Sequence, residues 1–321
     1  MADHRTAATY SGQGGAVHHS ESPAIKEIPV TDEGAGPYGI AAGPDGALWL
    51  TFAHNGRIAR LTLDGEIKEY PLDSPSCQPT VITAGPDGAL WFTRSQDHRI
   101  GRVTTDGDIA SFPVPTPDSG PFGITTGPDG ALWFTEMNTD RIGRITTAGE
   151  ITEFVLPVAS GAFPSAITAG PDGALWFTLN QANAIGRITV HGDVAIHPLP
   201  TPGAAPVGIA SDGAAVWFVE IAAGQIGRIA MDGGGIEEFP LPDRAAKPHA
   251  IVAAATGDCW FTEWGGNRVG RITASAGPGA TAEITEYDLP SPSSEPHGIA
   301  LGPDGALWVA LEVGGVARVA P

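Results

Sequence analysis

Residues Gly120–Thr146 read GPFGITTGPDGALWFTEMNTDRIGRIT, and the middle of that stretch decides the architecture. The phrase GPDGALW recurs around Trp49, Trp91, Trp133, Trp176 and Trp308, with degenerate copies SDGAAVW at Trp217 and ATGDCW at Trp260. Seven of the eight tryptophans therefore hold one repeat position, at spacings of 42, 42, 43, 41, 43 and 48 residues. That period belongs to the blades of a β-propeller.

Each unit divides into four strand-like runs, as in FGITTG, ALWFTE, RIGRITT and EITEFVLP. Apolar and polar residues alternate in them, and β-branched or aromatic side chains predominate. GPDG is expected to turn between the first two strands and TxDG or TAGE between the last two. In these turns Gly supplies positive φ and Asp bonds its own turn backbone. Prolines gather in connections such as PLPTPG, where a missing N–H does no harm.

After Trp308 the chain supplies only GVARVA, so the last blade lacks an outer strand, whereas AIKEIPV at Ala24–Val30 matches one. The expectation is an all-β, seven-bladed β-propeller with four-stranded blades over residues 23–321, the last blade completed by the N-terminal strand. Closing the ring in this way removes an exposed sheet edge. Residues 1–22 read as a disordered tail by composition. The 48-residue spacing is placed by comparing Arg144–Glu150 with Arg271–Glu283: the extra residues fall in ASAGPGA, the turn between the third and fourth strands of blade six.

The chain has 321 residues, 42% of them hydrophobic, enough for a sizeable core. A net charge of -19 with only 17 Lys and Arg repels phosphate backbones and anionic lipid, which argues against nucleic-acid or membrane partners. No apolar run is long enough to span a bilayer, and the first 22 residues lack the apolar centre of a signal peptide, so a cytoplasmic monomer is expected. Cys77 and Cys259 form no CxxC pair and are expected as buried free thiols.

In an up-and-down blade, the start of the innermost strand and the end of the second lie on one face of the disc, and the GPDG turns and the blade-six insertion on the other. The residues that follow a Pro at the start of the innermost strands are Tyr38, Thr80, Phe122, Ser165, Val207, His249 and His297, which should ring the axis. Only two of the nine histidines, His249 and His297, occupy this ring, and they are in adjacent blades. His54, His98, His191 and His197 fall in loops or on outer strands.

The second strand usually ends in WFTE, giving Glu136, Glu220 and Glu263, which recur with the repeat and read as scaffold, pairing with Arg residues of the IGR phrase in neighbouring blades. Other blades carry Phe52, Arg94 and Leu179 there. Blade seven reads WVALE, so Glu312 stands one step later, and Glu295 precedes Pro296 and His297 at the entry to the same blade. His249, Glu295, His297 and Glu312 thus depart from the repeat and converge on one face, flanked by Tyr38. A lone His at a strand end is most often structural; the combination points to a site.

Two carboxylates offer hard oxygen ligands to Mg²⁺, which keeps positions for water or substrate, and a neutral imidazole beside them suits a general base. No GxSxG, catalytic Cys environment or nucleotide-binding glycine loop is present, so metal-assisted proton abstraction ranks above covalent catalysis. A metal-dependent lactone or ester hydrolase and a non-catalytic scaffold for protein binding remain alternatives.

GPYGI, GPFGITTGPDGALWFTEMNTDRIGRIT, NAIGRIT, KPHAI, WFTEWGGNRVGRIT and EPHGI closely resemble phrases of the streptogramin B lyase family across nearly the whole propeller. The discriminating elements are KPHAI, EPHGI and the displaced Glu of WVALE. The resemblance implies ring opening of a cyclic depsipeptide antibiotic by elimination. His297 would remove the α-proton of the threonine residue whose side-chain oxygen forms the ester, and the phenylglycine carboxylate would leave. Glu295 and Glu312 would hold Mg²⁺ as a Lewis acid. His249 would contact the substrate, and Tyr38 would line the pocket, with Phe122 and Trp264 as further walls by position. Arg94 and Leu179 depart from the family phrase.

Overall fold

The Trp of each ALW is a node that ties a turn and three strands together. In blade three, Trp133 Nε1 donates to Asp129 Oδ1 at 3.0 Å, while Arg144 Nε donates to Asp129 Oδ2 at 2.6 Å and the indole stacks on Phe154 at 5.4 Å. The turn, second, third and outer strands are thereby locked by one contact set around a buried indole. The same Asp–Trp–Arg arrangement holds at Asp45, Trp49 and Arg60; Asp87, Trp91 and Arg102; Asp172, Trp176 and Arg187; and Asp304, Trp308 and Arg318. GPDGALW is therefore scaffold. In degenerate blade five, Asp212 keeps only Trp217, and Arg228 turns to Glu237 at 2.9 Å.

The protein is described by a computed structural model that covers residues 22–32, 34–254, 257–275 and 281–320. Among these, 28 strands form seven antiparallel four-stranded sheets and no helix is present. Innermost strands begin at Pro37, Pro79, Pro121, Pro164, Pro206, Pro248 and Pro296. Each packs on its neighbours around the axis, that of blade seven on that of blade one. The ring closes as expected: Ala24–Pro29 pairs antiparallel with Gly315–Ala320, from Ala24↔Ala320 to Pro29↔Gly315. No helix among the described residues is long and apolar enough to cross a membrane.

Blades are joined by the Thr of WFT. Thr93, Thr135, Thr178 and Thr262 each donate from Oγ1 to the carbonyl of the next blade's ring residue, at 2.6, 2.6, 2.7 and 2.8 Å. The ring backbone is thus fixed by the neighbouring blade.

One expectation is overturned. Glu136, Glu220 and Glu263 do not pair with IGR arginines of neighbouring blades; they are fully buried and bond within their own blades to Thr139, Gln225 and Arg268, at 2.8, 2.6 and 2.8 Å. Register explains it. Arg144 lies opposite Trp133, towards the GPDG turn, whereas Glu136 ends its strand opposite Arg141, on the other face.

Cys77 and Cys259 are buried and unpaired with each other. In blade six, Arg268–Ala274 and Ala282–Asp288 have seven residues each, against five in the matching strands of blade three, so the extra sequence lengthens this hairpin. Residues 276–280 of its turn, and the tail expected over residues 1–22 apart from Ser22, lie outside the described residues.

Candidate active site

The strand starts are bent in every blade. Pairing with the second strand shifts register between the Pro and the Ile three residues on, as between Pro296 and Ile299, and such β-bulges re-aim side chains. The residue before each Pro has a left-handed backbone: Gly36 and Gly120 in two blades, but Gln78, Phe163, Ala205, Lys247 and Glu295 in the others, with φ of 50° to 58°. Gly298, after His297, is required by close approach, since a Cβ there would stand 2.6 Å from the Tyr38 carbonyl oxygen.

At one face the ring residues form a contiguous cluster. Tyr38 stacks at a tilt on His297 with centroids 4.5 Å apart, His249 meets His297 edge-on at 4.6 Å, and Phe122 meets Tyr38 at 6.0 Å. Tyr38 Oη and His249 Nε2 lie 3.4 Å apart. Trp264 stands 6.4 Å from His297 with the Lys247 ammonium over its ring. Below this cluster runs an axial channel lined by Tyr38, Phe122, Val207 and His249 above a belt of isoleucines.

Glu312 completes the cluster. It follows the second strand of blade seven, where Leu311 fills the slot that Glu136 fills in blade three, so its side chain begins beyond the strand end. Its Oε2 lies 2.5 Å from His297 Nε2, its Oε1 2.9 Å from His54 Nε2 of blade one, and its N–H donates to the Glu295 carbonyl at 3.2 Å. The side chains of His249, His297 and Glu312 therefore meet, with Tyr38 beside them, whereas Glu295 joins through its backbone carbonyl. His54, which the sequence reading left among the loop histidines, joins them as well.

Burial, reinforced by His297, lowers His249 to a pKa of about 3; burial, reinforced by His54, lowers His297 to about 4. Both rings are neutral at pH 7. Burial, and next the Glu312 charge, push the Tyr38 phenol up, so it keeps its proton. A carboxylate only accepts, so an ionised Glu312 holds the proton of His297 on Nε2. Nδ1 of His297 and Nδ1 of His249 are buried without partners among the described residues.

The donor set bears on a metal. The Glu295 carboxylate makes no hydrogen bond or ion pair with the described residues, and it is half-buried beside the Glu312 backbone. No group of three or more His, Cys, Asp and Glu among the described residues is arranged to hold an ion. Two carboxylates, one uncommitted, fit a hard cation that keeps several waters rather than a closed protein cage. Arg94 pairs with Asp73 at 2.7 Å and with Asp97, and Leu179 is core.

Comparison with known proteins places the chain in a family. The sequence pattern of the virginiamycin B lyase family matches residues 23–319. The curated virginiamycin B lyase of Nocardia farcinica is 54% identical over 59 residues, a match that spans 18% of this chain and only 21% of that protein. Over the whole fold, the crystal structure of virginiamycin B lyase from Staphylococcus aureus superposes with a TM-score of 0.87 at 45% identity, covering 93% of this chain and 99% of that one. A catalytically inactive histidine-to-alanine variant of the S. aureus enzyme with quinupristin gives a TM-score of 0.87 at 44% identity, over 93% and 99% of the two chains. With the family pattern matched over residues 23–319 and the fold shared over nearly the whole chain, this protein belongs to the virginiamycin B lyase family.

Proposed function

We propose that the protein linearises type B streptogramins by elimination at the threonyl–phenylglycine ester. The observation that carries this reading is the neutral, buried His297 held between Tyr38, His249 and the Glu312 carboxylate on the face where Glu295 is uncommitted. It is supported by the family match and by the quinupristin complex of the S. aureus relative.

In this mechanism the neutral His297 imidazole takes the α-proton of the threonine residue. The electrons of that C–H bond form the Cα–Cβ double bond as the Cβ–O bond breaks, and the phenylglycine carboxylate departs with the ester oxygen. No water enters the product. General-base positioning of this kind is worth roughly 10²–10⁴-fold in rate. His249 and the protonated Tyr38 contact the macrocycle and, with Phe122 and Trp264, shut water from the proton-transfer centre. Glu295 and Glu312 would hold Mg²⁺, which supplies Lewis-acid stabilisation of the enolate-like charge.

Incubation with quinupristin, followed by mass spectrometry, tests the reaction. Elimination gives a linear isomer of unchanged mass. A product heavier by one water establishes a hydrolase, and an unconverted macrocycle establishes a binding scaffold; either overturns the proposal. Activity retained in EDTA would remove the metal.

A further inference from the structure

The carboxylate of Glu312 is held from two blades. His297 takes one oxygen from blade seven; the other is met by His54, which lies beyond the second strand of blade one. His54 is not a ring residue, and its side chain is 46% exposed, so burial does not hold it in place. What holds it is contact on both nitrogens: Nδ1 lies 3.3 Å from the Gly34 carbonyl oxygen, and Nε2 lies 2.9 Å from Glu312 Oε1.

The loop that enters blade one is shaped around this ring. A Cβ on Gly36, whose φ is +67°, would stand 2.7 Å from the imidazole, so only glycine leaves room for it. The Ala53 N–H donates to the Gly36 carbonyl at 2.8 Å and the His54 N–H to the Ala35 carbonyl at 3.1 Å, which fixes the backbone that carries the ring. At the equivalent position the other blades carry Gln96, Asn138, Gln181, Ala222, Gly265 and Val313. Only blade one, the blade that faces Glu312 across the ring closure, has a side chain here that meets it.

We propose that His54 is a positioning residue for the lyase reaction: it fixes the rotamer of Glu312 and, through it, the orientation of the His297 ring. The geometry is a relay of contacts from the Gly34 carbonyl through His54 and Glu312 to the base. A carboxylate with a single partner can turn about its terminal torsion, whereas one gripped on both oxygens cannot. His54 touches neither substrate nor the reacting atoms in this account, and the inference rests on the reading of His297 as the base.

The test compares His54→Leu with His54→Gln, which keeps an N–H near the position of Nε2. In His54→Leu, kcat for streptogramin linearisation is expected to fall by roughly 10–100-fold with little change in KM, as is usual when the outer partner of a site ligand is lost. His54→Gln should recover most of the loss. Thermal melting should be unchanged in both.

A second readout needs neither metal nor turnover. The Nε2–H proton of His297, bonded to Glu312, should give a downfield proton resonance in the metal-free wild type, assigned by its disappearance in His297→Gln. It should shift or broaden in His54→Leu and return in His54→Gln. An unchanged resonance in His54→Leu overturns the proposal, whatever happens to the rate. If the wild type does not linearise streptogramins, the functional reading fails by itself, and the resonance still decides whether His54 orients Glu312 and His297.

Discussion

Thr262 Oγ1 donates a 2.8 Å hydrogen bond to the carbonyl oxygen of His297, so the backbone of the proposed base is anchored from blade six rather than from its own blade. The same hydroxyl accepts the Ala250 N–H at 3.0 Å, beside His249. One threonine therefore spaces the two ring histidines. Replacement by Val, which blade five already carries as Val219, should cost about 2 kcal/mol of stability for the two lost hydrogen bonds, at about 1 kcal/mol each. It should also lower kcat. Chemical denaturation and steady-state kinetics on Thr262→Val check both, and an unaltered kcat would show that the anchor is only structural.

Glu295 adopts a φ of 50°, a conformation that two other blades give to glycine. For an L-residue that region costs roughly 1 kcal/mol, which glycine would relieve. Glu295→Gly should therefore melt no lower than the wild type while losing turnover or needing far more Mg²⁺. An unstable variant would contradict the strain argument. A stable variant with wild-type Mg²⁺ dependence would remove Glu295 from the metal site.

The acid limb of the rate profile should be displaced. An ordinary histidine titrates near 6.5, and burial brings His297 to about 4. As the pH falls, the rate should hold through 6.5 and drop only as it passes through the lower value, where the ring gains its second proton. The pH dependence of kcat/KM measures this directly. A midpoint near 6.5 would mean that the ring is solvated in the working enzyme.

Stability should respond to pH through a different set of groups. Burial pushes Glu136 and Glu220 up to about 8 and Glu263 up to about 7, with the outer-strand carboxylates Glu153, Glu238 and Glu286 adding to it. An unperturbed glutamate loses its proton near 4.5. Between that pH and the folded value the native state holds protons that the unfolded chain has released. The contribution of these groups is thus complete below about 4.5 and is lost as pH rises towards 8. Wild type should lose melting temperature relative to Glu136→Gln over that range, and a constant gap would show that Glu136 is ionised throughout.

The repeat made most of the fold legible. Subtracting GPDGALW, IGR and the connecting prolines from each blade leaves His249, Glu295, His297 and Glu312; the side chains of His249, His297 and Glu312 meet in the structure, and Glu295 adjoins them by its backbone. Two features stayed hidden. The buried glutamates have a partner choice that depends on which end of the third strand they face, a matter of register rather than of composition. His54 sits in a loop two positions beyond the compared slot, and its contact with Glu312 exists only because blades one and seven become neighbours when the ring closes. Comparing the second position after the WFTE slot as well would have singled it out against Gln96, Asn138 and Gln181.

The closing strand reaches further than the sheet it completes. Glu27, on Ala24–Pro29, accepts the Ser291 N–H at 3.1 Å and lies 3.4 Å from the Ser294 hydroxyl, in the connection that delivers Glu295 and His297. These partners are separated by 264 residues in the chain. During synthesis, a ribosome must release almost the entire propeller before Glu27 can find Ser291 and Gly315–Ala320 can find its strand partner. The site is thus assembled by the last step of folding, and a nascent chain with six finished blades lacks Glu295, His297 and Glu312.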